Sequence, residues 1–145
     1  MKWNELKNER CPVARGLSVI GDRWTMLVLR DCFRGVRRFD EFQANLGVTR
    51  HVLADRLRKL EAAGVLRRRQ YQDRPPRFEY RLTDAGKALH PVMITLVDWA
   101  NAHVPVDGGL TLRDRGSGAP LRPELVDRDT GAPITPHSVT IAKPD

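Results

Sequence analysis

The chain has 145 residues, enough for one full domain with a small appendage, and 41% of them are hydrophobic, which supplies a core and excludes wholesale disorder. A formal net charge of +7 and a pI of ≈ 10.1 favour a polyanionic partner. No N-terminal apolar run or membrane-length apolar stretch is present, and two cysteines are too few for a disulfide scaffold, so a cytoplasmic location away from the membrane is expected.

Met1 to Arg10 is polar apart from Trp3 and Leu6. Cys11 to Gly21 is expected to form a helix with Val13, Leu17 and Ile20 on one side, weakened by Gly16 and ended by Gly21. Asp22 reads as the N-cap of a second helix, Arg23 to Phe33, whose buried side carries Trp24, Leu27 and Val28. Trp24 is expected to be a core anchor, and Gly35 closes the helix.

Arg37 and Arg38 lead into a short amphipathic segment, Phe39 to Leu46, with Phe39, Phe42 and Leu46 turned inward and Asp40 and Glu41 at the positive helix end. Gly47 and Thr49 then supply a turn and a cap. Beyond them Leu53, Leu57 and Leu60 recur at helical spacing and hold one stripe toward a core. His51, Ala54, Asp55 and Arg58 fall on the opposite side, with Arg50 and Arg56 on the flanks. Two short helices joined by a tight turn, the second one basic, form a helix-turn-helix. The charge supports that reading, because residues 34–81 hold thirteen Lys/Arg against six Asp/Glu, whereas residues 105–145 hold five against six.

After Gly64 the period changes. Val65 to Tyr71 and Arg77 to Leu82 alternate as half-exposed strands do, and Gln72-Asp73-Arg74-Pro75-Pro76 links them. A hairpin directly after a recognition helix is a wing. The expected fold is therefore α+β, a mostly helical winged helix-turn-helix with a two-stranded wing. A further helix is expected from Thr83 to about Val104, kinked at Pro91. Its apolar side (Leu89, Val92, Met93, Leu96, Val97, Trp99, Ala100) is too broad for simple docking on one domain. It reads as half of a homodimer interface shared with the helix around residues 13–20, the alternative being a helix that wraps back over its own domain.

Residues 1–104 thus read as the DNA-binding and dimerisation domain and residues 105–145 as a separate Gly/Pro-rich tail. The tail contains a tandem repeat, Asp114 to Val126 followed by Asp127 to Val139. Such turn-strand units look like the paired knuckles of a zinc ribbon. No cysteine follows Cys32, however, and His137 alone cannot hold zinc, so a metal-free, β-rich or flexible appendage is expected.

The chain resembles the HxlR-type family of bacterial winged helix-turn-helix transcriptional regulators, relatives of the MarR group. The resemblance is carried by Cys11-Pro12-Val13, Gly21-Asp22-Arg23-Trp24-Thr25, Arg37-Arg38-Phe39, and Leu53 with Arg56-Leu57-Arg58-Lys59-Leu60-Glu61 and Gly64. It continues through Pro75-Pro76-Arg77, Glu79-Tyr80 and Leu82-Thr83-Asp84-Ala85-Gly86, in register across residues 11–104. It implies a homodimer on a palindromic operator in double-stranded DNA, usually a repressor and sometimes an activator.

On that basis His51, Asp55 and Arg58 are assigned to the major groove, and Thr49 and Arg50 to phosphates or cap duty. Asp55 has the alternative role of holding Arg58 or Lys59 in place, and Arg56 that of a structural ion pair. Arg74 and Arg77 are the wing candidates, and Arg37 and Arg38 a backbone clamp. Cys11, at a helix start near Arg10 and Arg15, is a candidate regulatory thiol toward oxidants or electrophiles; the resemblance strengthens that assignment, and the alternative is an inert residue at the dimer seam. Cys32 reads as an apolar filler. A small apolar effector near Trp24, Met93 and Trp99 is the competing mode of control. With no phosphate loop, metal-ligand spacing or nucleophile motif, neither an enzyme nor a cofactor is expected. The runner-up is a winged-helix module used for protein–protein contact.

Overall fold

The computed structural model describes residues 1–143. The chain divides into two compact units, Met1–Met93 and Ile94–Asp145, the division falling within the last helix.

In the first unit a 3-10 turn, Trp3–Asn8, buries Leu6. Helix α1 spans Pro12–Ile20 with Pro12 at its start, where a missing N–H costs no hydrogen bond. It buries Ala14, while Val13 and Leu17 stay exposed in the single chain. Helix α2 spans Thr25–Phe33, two residues later than the sequence suggested. Asp22 does not cap it; the N-cap is Trp24, whose φ of 77° lies in the left-handed region, a sparsely populated conformation for a bulky residue. The buried side of α2 is Thr25, Val28, Leu29 and Asp31, with Leu27 exposed and Trp24 only half-buried. Counting only apolar residues skipped Thr25 and set the stripe too early.

Helix α3 (Phe39–Leu46) ends at Gly47, whose φ of 64° is the left-handed turn a glycine makes without strain. Helix α4 (Arg50–Ala62) is capped by Thr49, whose Oγ1 accepts from the Val52 N–H at 3.3 Å. Leu53, Leu57 and Leu60 are fully buried against Phe42, Val28, Leu29, Val65 and Leu66. Each such side chain contributes about 2 kcal/mol of transfer free energy, which locks the rotation of α4 about its axis.

Strands β1 (Leu66–Gln72) and β2 (Arg77–Leu82) form the expected antiparallel wing, pairing Leu66 with Leu82 and Arg69 with Glu79. Val65 stays out of β1 because its N–H closes the end of α4 on the Leu60 carbonyl at 2.9 Å. The wing also has a rung that no local pattern announces. Arg38 bridges to Glu79, and the Tyr80 N–H donates to the Arg37 carbonyl at 2.7 Å, so the chain entering α3 pairs with β2.

The expected continuous helix from Thr83 to Val104 is two helices, α5 (Asp84–Lys87) and α6 (His90–His103). Pro91 would clash with the carbonyl four residues back, so the chain breaks there and α6 restarts with Pro91 in its first turn. Gly86 sits where a Cβ would collide with the Val65 carbonyl, which is why this buried turn is glycine. Leu89 and Met93 pack against the core, and the His90 ring meets Phe33 edge-on at 4.9 Å.

In the second unit each repeat closes on its own carboxylate. Asp114 accepts from the backbone N–H groups of Gly116 at 3.0 Å and Ser117 at 2.8 Å. Thirteen residues on, Asp127 accepts from Asp129 at 2.8 Å and Thr130 at 2.9 Å. These bonds, led by those from Ser117 and Thr130, hold both carboxyls below the usual aspartate range. One bridge closes each unit, Arg113 to Pro120 and Val126 to Pro133.

Candidate nucleic-acid interface

Burying three leucines of α4 turns His51, Ala54 and Arg58 outward, and all three are exposed. Asp55 stands between them in a different role. Its carboxylate accepts from Arg58 at 2.6 Å and Arg56 at 2.6 Å, and Lys59 lies at 3.2 Å. Partial burial pushes its pKa up, but the hydrogen bonds and charges of Lys59 and Arg56 outweigh that and leave it below the ordinary value. Asp55 therefore organises the cations of its own helix. Arg58 keeps a side chain 70% exposed and is presented outward from Asp55, at i,i+3 spacing.

The segment before α2 braces α4. Arg56 Nε donates to the Arg23 carbonyl at 2.7 Å, and Lys59 Nζ reaches Asp22 at 3.4 Å. Asp22 thus works as an ion-pair partner of the recognition helix, a role its cap-like position concealed. A second brace was invisible to sequence reasoning. Asp31, 1% exposed, accepts from Arg30 at 2.8 Å and 3.0 Å and from Asn45 at 3.1 Å, tying α2 to α3.

Between the N-termini of α3 and α4 and the wing runs a groove of ≈ 530 Å³. Arg38, Arg50 and Arg77 line it together with Phe39, Tyr71 and Phe78. Arg50 lies 4.7 Å above the Phe39 ring and 3.8 Å from Asp40, and Arg38 lies 4.3 Å above Tyr71. Arg37 instead lines a cleft of ≈ 160 Å³ with Arg67, Arg81, Lys87 and Cys32. Arg74 is exposed in the wing link, where Gln72 Nε2 donates to the carbonyls of Arg74 and Pro75, both at 3.2 Å. The structure thus brings Arg38, Arg50 and Arg77 together at one groove and presents Arg74 from the wing tip.

The two thiols differ. Cys11 is exposed at the N-cap of α1, and the Arg15 guanidinium donates to the Glu9 and Arg10 carbonyls just before it, at 2.9 Å and 2.6 Å. Cys32 is partly buried, and desolvation, then the Asp31 charge, push its pKa up to about 12. At pH 8 an aromatic disulfide reagent is therefore expected to label one thiol per chain rapidly. The Cys11→Ser variant should lose that fast phase, and a fast phase surviving in it would contradict the assignment. Of the effector candidates, Trp24 sits at the start of α2 with Arg23 5.5 Å from its ring, Met93 packs on the core, and Trp99 lies in the second unit beside His103 at 5.3 Å.

No helix among the described residues is long and apolar enough to cross a membrane. Residues 19–107 match the model of the HxlR-like helix-turn-helix family. The chain is 40% identical over 130 residues to an HTH-type transcriptional regulator of Mycobacterium tuberculosis, covering 88% of this chain and 82% of that protein. The solved structure of PA1607, a candidate transcription factor, is similar with a TM-score of 0.85 at 38% identity, over 95% of this chain and 98% of that one. HypR, a redox regulator solved in its reduced form, is similar over 65% of this chain and 96% of its own, with a TM-score of 0.61 at 35% identity. With an outward basic helix followed by a wing, and matches spanning both, this chain belongs to the HxlR-like helix-turn-helix family of transcriptional regulators.

Proposed function

We propose that two copies of the chain bind a two-fold symmetric operator in duplex DNA and act as a repressor, each copy placing α4 in a major groove. The observation that carries this is the division of α4 into a buried leucine stripe and an exposed face bearing His51 and Arg58, beside a groove lined by Arg38, Arg50 and Arg77. Pairing of copies is supported by apolar side chains that the single chain leaves exposed, Val13 and Leu17 on α1 and Val92, Leu96 and Trp99 on α6. On this reading residues 1–104 bind DNA and pair, and residues 105–145 are an appendage. Arg58 reads a base edge, whereas Arg37, Arg38, Arg50, Arg74 and Arg77 neutralise phosphates.

Two substitutions test that division of labour. Arg58→Ala is expected to relax sequence preference at one operator position by about 1–3 kcal/mol, and Arg74→Ala to weaken operator and random duplex alike. Equal losses on both duplexes from both variants would refute it.

The exposed Cys11 and the similarity to a redox regulator support control of DNA binding by oxidation or by an electrophile at this thiol. Operator affinity of the wild type should then fall with mild oxidant while Cys11→Ser holds its affinity. An identical response in both would remove Cys11 from the mechanism.

A further inference from the structure

The wing contains an irregularity at one residue. Gln70 pairs with Phe78 and Gln72 with Arg77, so Tyr71 is the extra residue of a β-bulge, with no partner of its own in the register. A bulge costs ladder hydrogen bonding and is a means of re-aiming a side chain. Here the Tyr71 ring lies under the Arg38 guanidinium, with Cζ 4.3 Å from the ring centroid. The bulge is braced from both sides, since Gln70 Nε2 donates to the Gln72 carbonyl at 3.1 Å and Gln72 Nε2 donates to the Arg74 and Pro75 carbonyls.

Arg38 is held at its other end too. Its main chain is bridged to Glu79, and the neighbouring Arg37 carbonyl takes the Tyr80 N–H. Asp40 and Glu41 also line the groove, but no salt bridge to Arg38 is present among the described residues, so its guanidinium faces the groove beside Arg77 without an ion-pair partner. Arg50, at the same groove, differs in this respect, because Asp40 lies 3.8 Å from it. A long cationic side chain normally loses rotamer freedom when it grips a phosphate. A guanidinium already resting on an aromatic face has lost much of that freedom before the duplex arrives.

We propose that Tyr71 is a positioning residue for DNA binding, its ring aimed by the bulge to hold Arg38 ready for a backbone phosphate of the bound duplex. The proposal rests on the reading of this face as the duplex-binding surface. Tyr71 acts through Arg38 and makes no contact of its own that matters for affinity. Its effect is independent of base sequence, because a phosphate carries no sequence information.

The test is a double-mutant cycle on the full chain with a fluorescently labelled random-sequence duplex, titrated at several salt concentrations. Tyr71→Leu should weaken binding about two- to fivefold per bound chain, the range of an exposed cation–π contact, and leave the salt slope unchanged because the charge is still present. Tyr71→Phe, which keeps the ring, should bind like the wild type. Arg38→Ala should reduce the salt slope by about one per bound chain, about two for a pair, and adding Tyr71→Leu to it should cost nothing further. A Tyr71→Leu loss that persists in the Arg38→Ala background, as a folding defect or a direct tyrosine–DNA contact would produce, overturns the proposal. So does a loss in Tyr71→Phe, or the absence of any loss in Tyr71→Leu. If the wild type itself fails to bind the duplex at low salt, the duplex-binding reading falls and not this inference alone.

Discussion

Replacing Asp31 with alanine is expected to lower the stability of the fold by about 3 kcal/mol, read as a shift of the urea midpoint at unchanged m-value. The carboxylate is 1% exposed and serves two partners on different elements, Arg30 on its own helix and Asn45 on α3. Removing it strands a guanidinium whose side chain is 31% exposed, which places the cost at the lower end of the range for breaking a buried ion pair. It also leaves the Asn45 amide without its acceptor. Asp31→Asn keeps the shape and one acceptor oxygen, so its loss should be about half as large. Because Asn45 lies on the helix that precedes the recognition helix, DNA affinity should fall with stability in Asp31→Ala and recover in excess protein at low temperature. A midpoint shift equivalent to less than about 0.5 kcal/mol would show that the pair is a surface ornament rather than a brace.

The second large effect is ionic. Five arginines per chain are assigned to phosphates, Arg37, Arg38, Arg50, Arg74 and Arg77, all of them exposed. A pair of chains then neutralises about ten phosphates, and releasing that many counterions lowers affinity about 10⁵-fold between about 50 and 200 mM salt. Sequence-independent binding should follow the same slope as operator binding. An affinity that barely responds to salt would transfer this face from duplex DNA to an apolar protein partner.

What could be read from the sequence was whatever repeats along one element. Leu53, Leu57 and Leu60 set the inward side of α4, and the alternation after Gly64 marked the wing. The tandem repeat after Asp114 was plain in the letters, as was the absence of thiols from it. Contacts between elements far apart in the chain left no such mark. Asp22 looked like a cap because caps and ion-pair partners use the same residue, and only its approach to Lys59 separates the two roles. Asp31 carries no sequence signal of its own, because its contact with Asn45 joins two helices fourteen residues apart. The pairing of Arg38 with Glu79 is a main-chain event and needs no particular side chain. Tyr71 read as an ordinary strand residue, since a one-residue bulge leaves the composition unchanged. Pro91 is plain in the sequence, but a proline serves in the first turn of a new helix as well as it bends an old one, and only the break before His90 separates the two.

The most direct measurement on the whole account is selection of bound fragments from a random duplex pool by the full-length protein. The predicted result is a consensus of two inverted half-sites whose centres lie about one helical turn apart, matching two copies of α4 on one side of the duplex. A consensus without two-fold symmetry, or a pool that enriches no sequence at all, would contradict it.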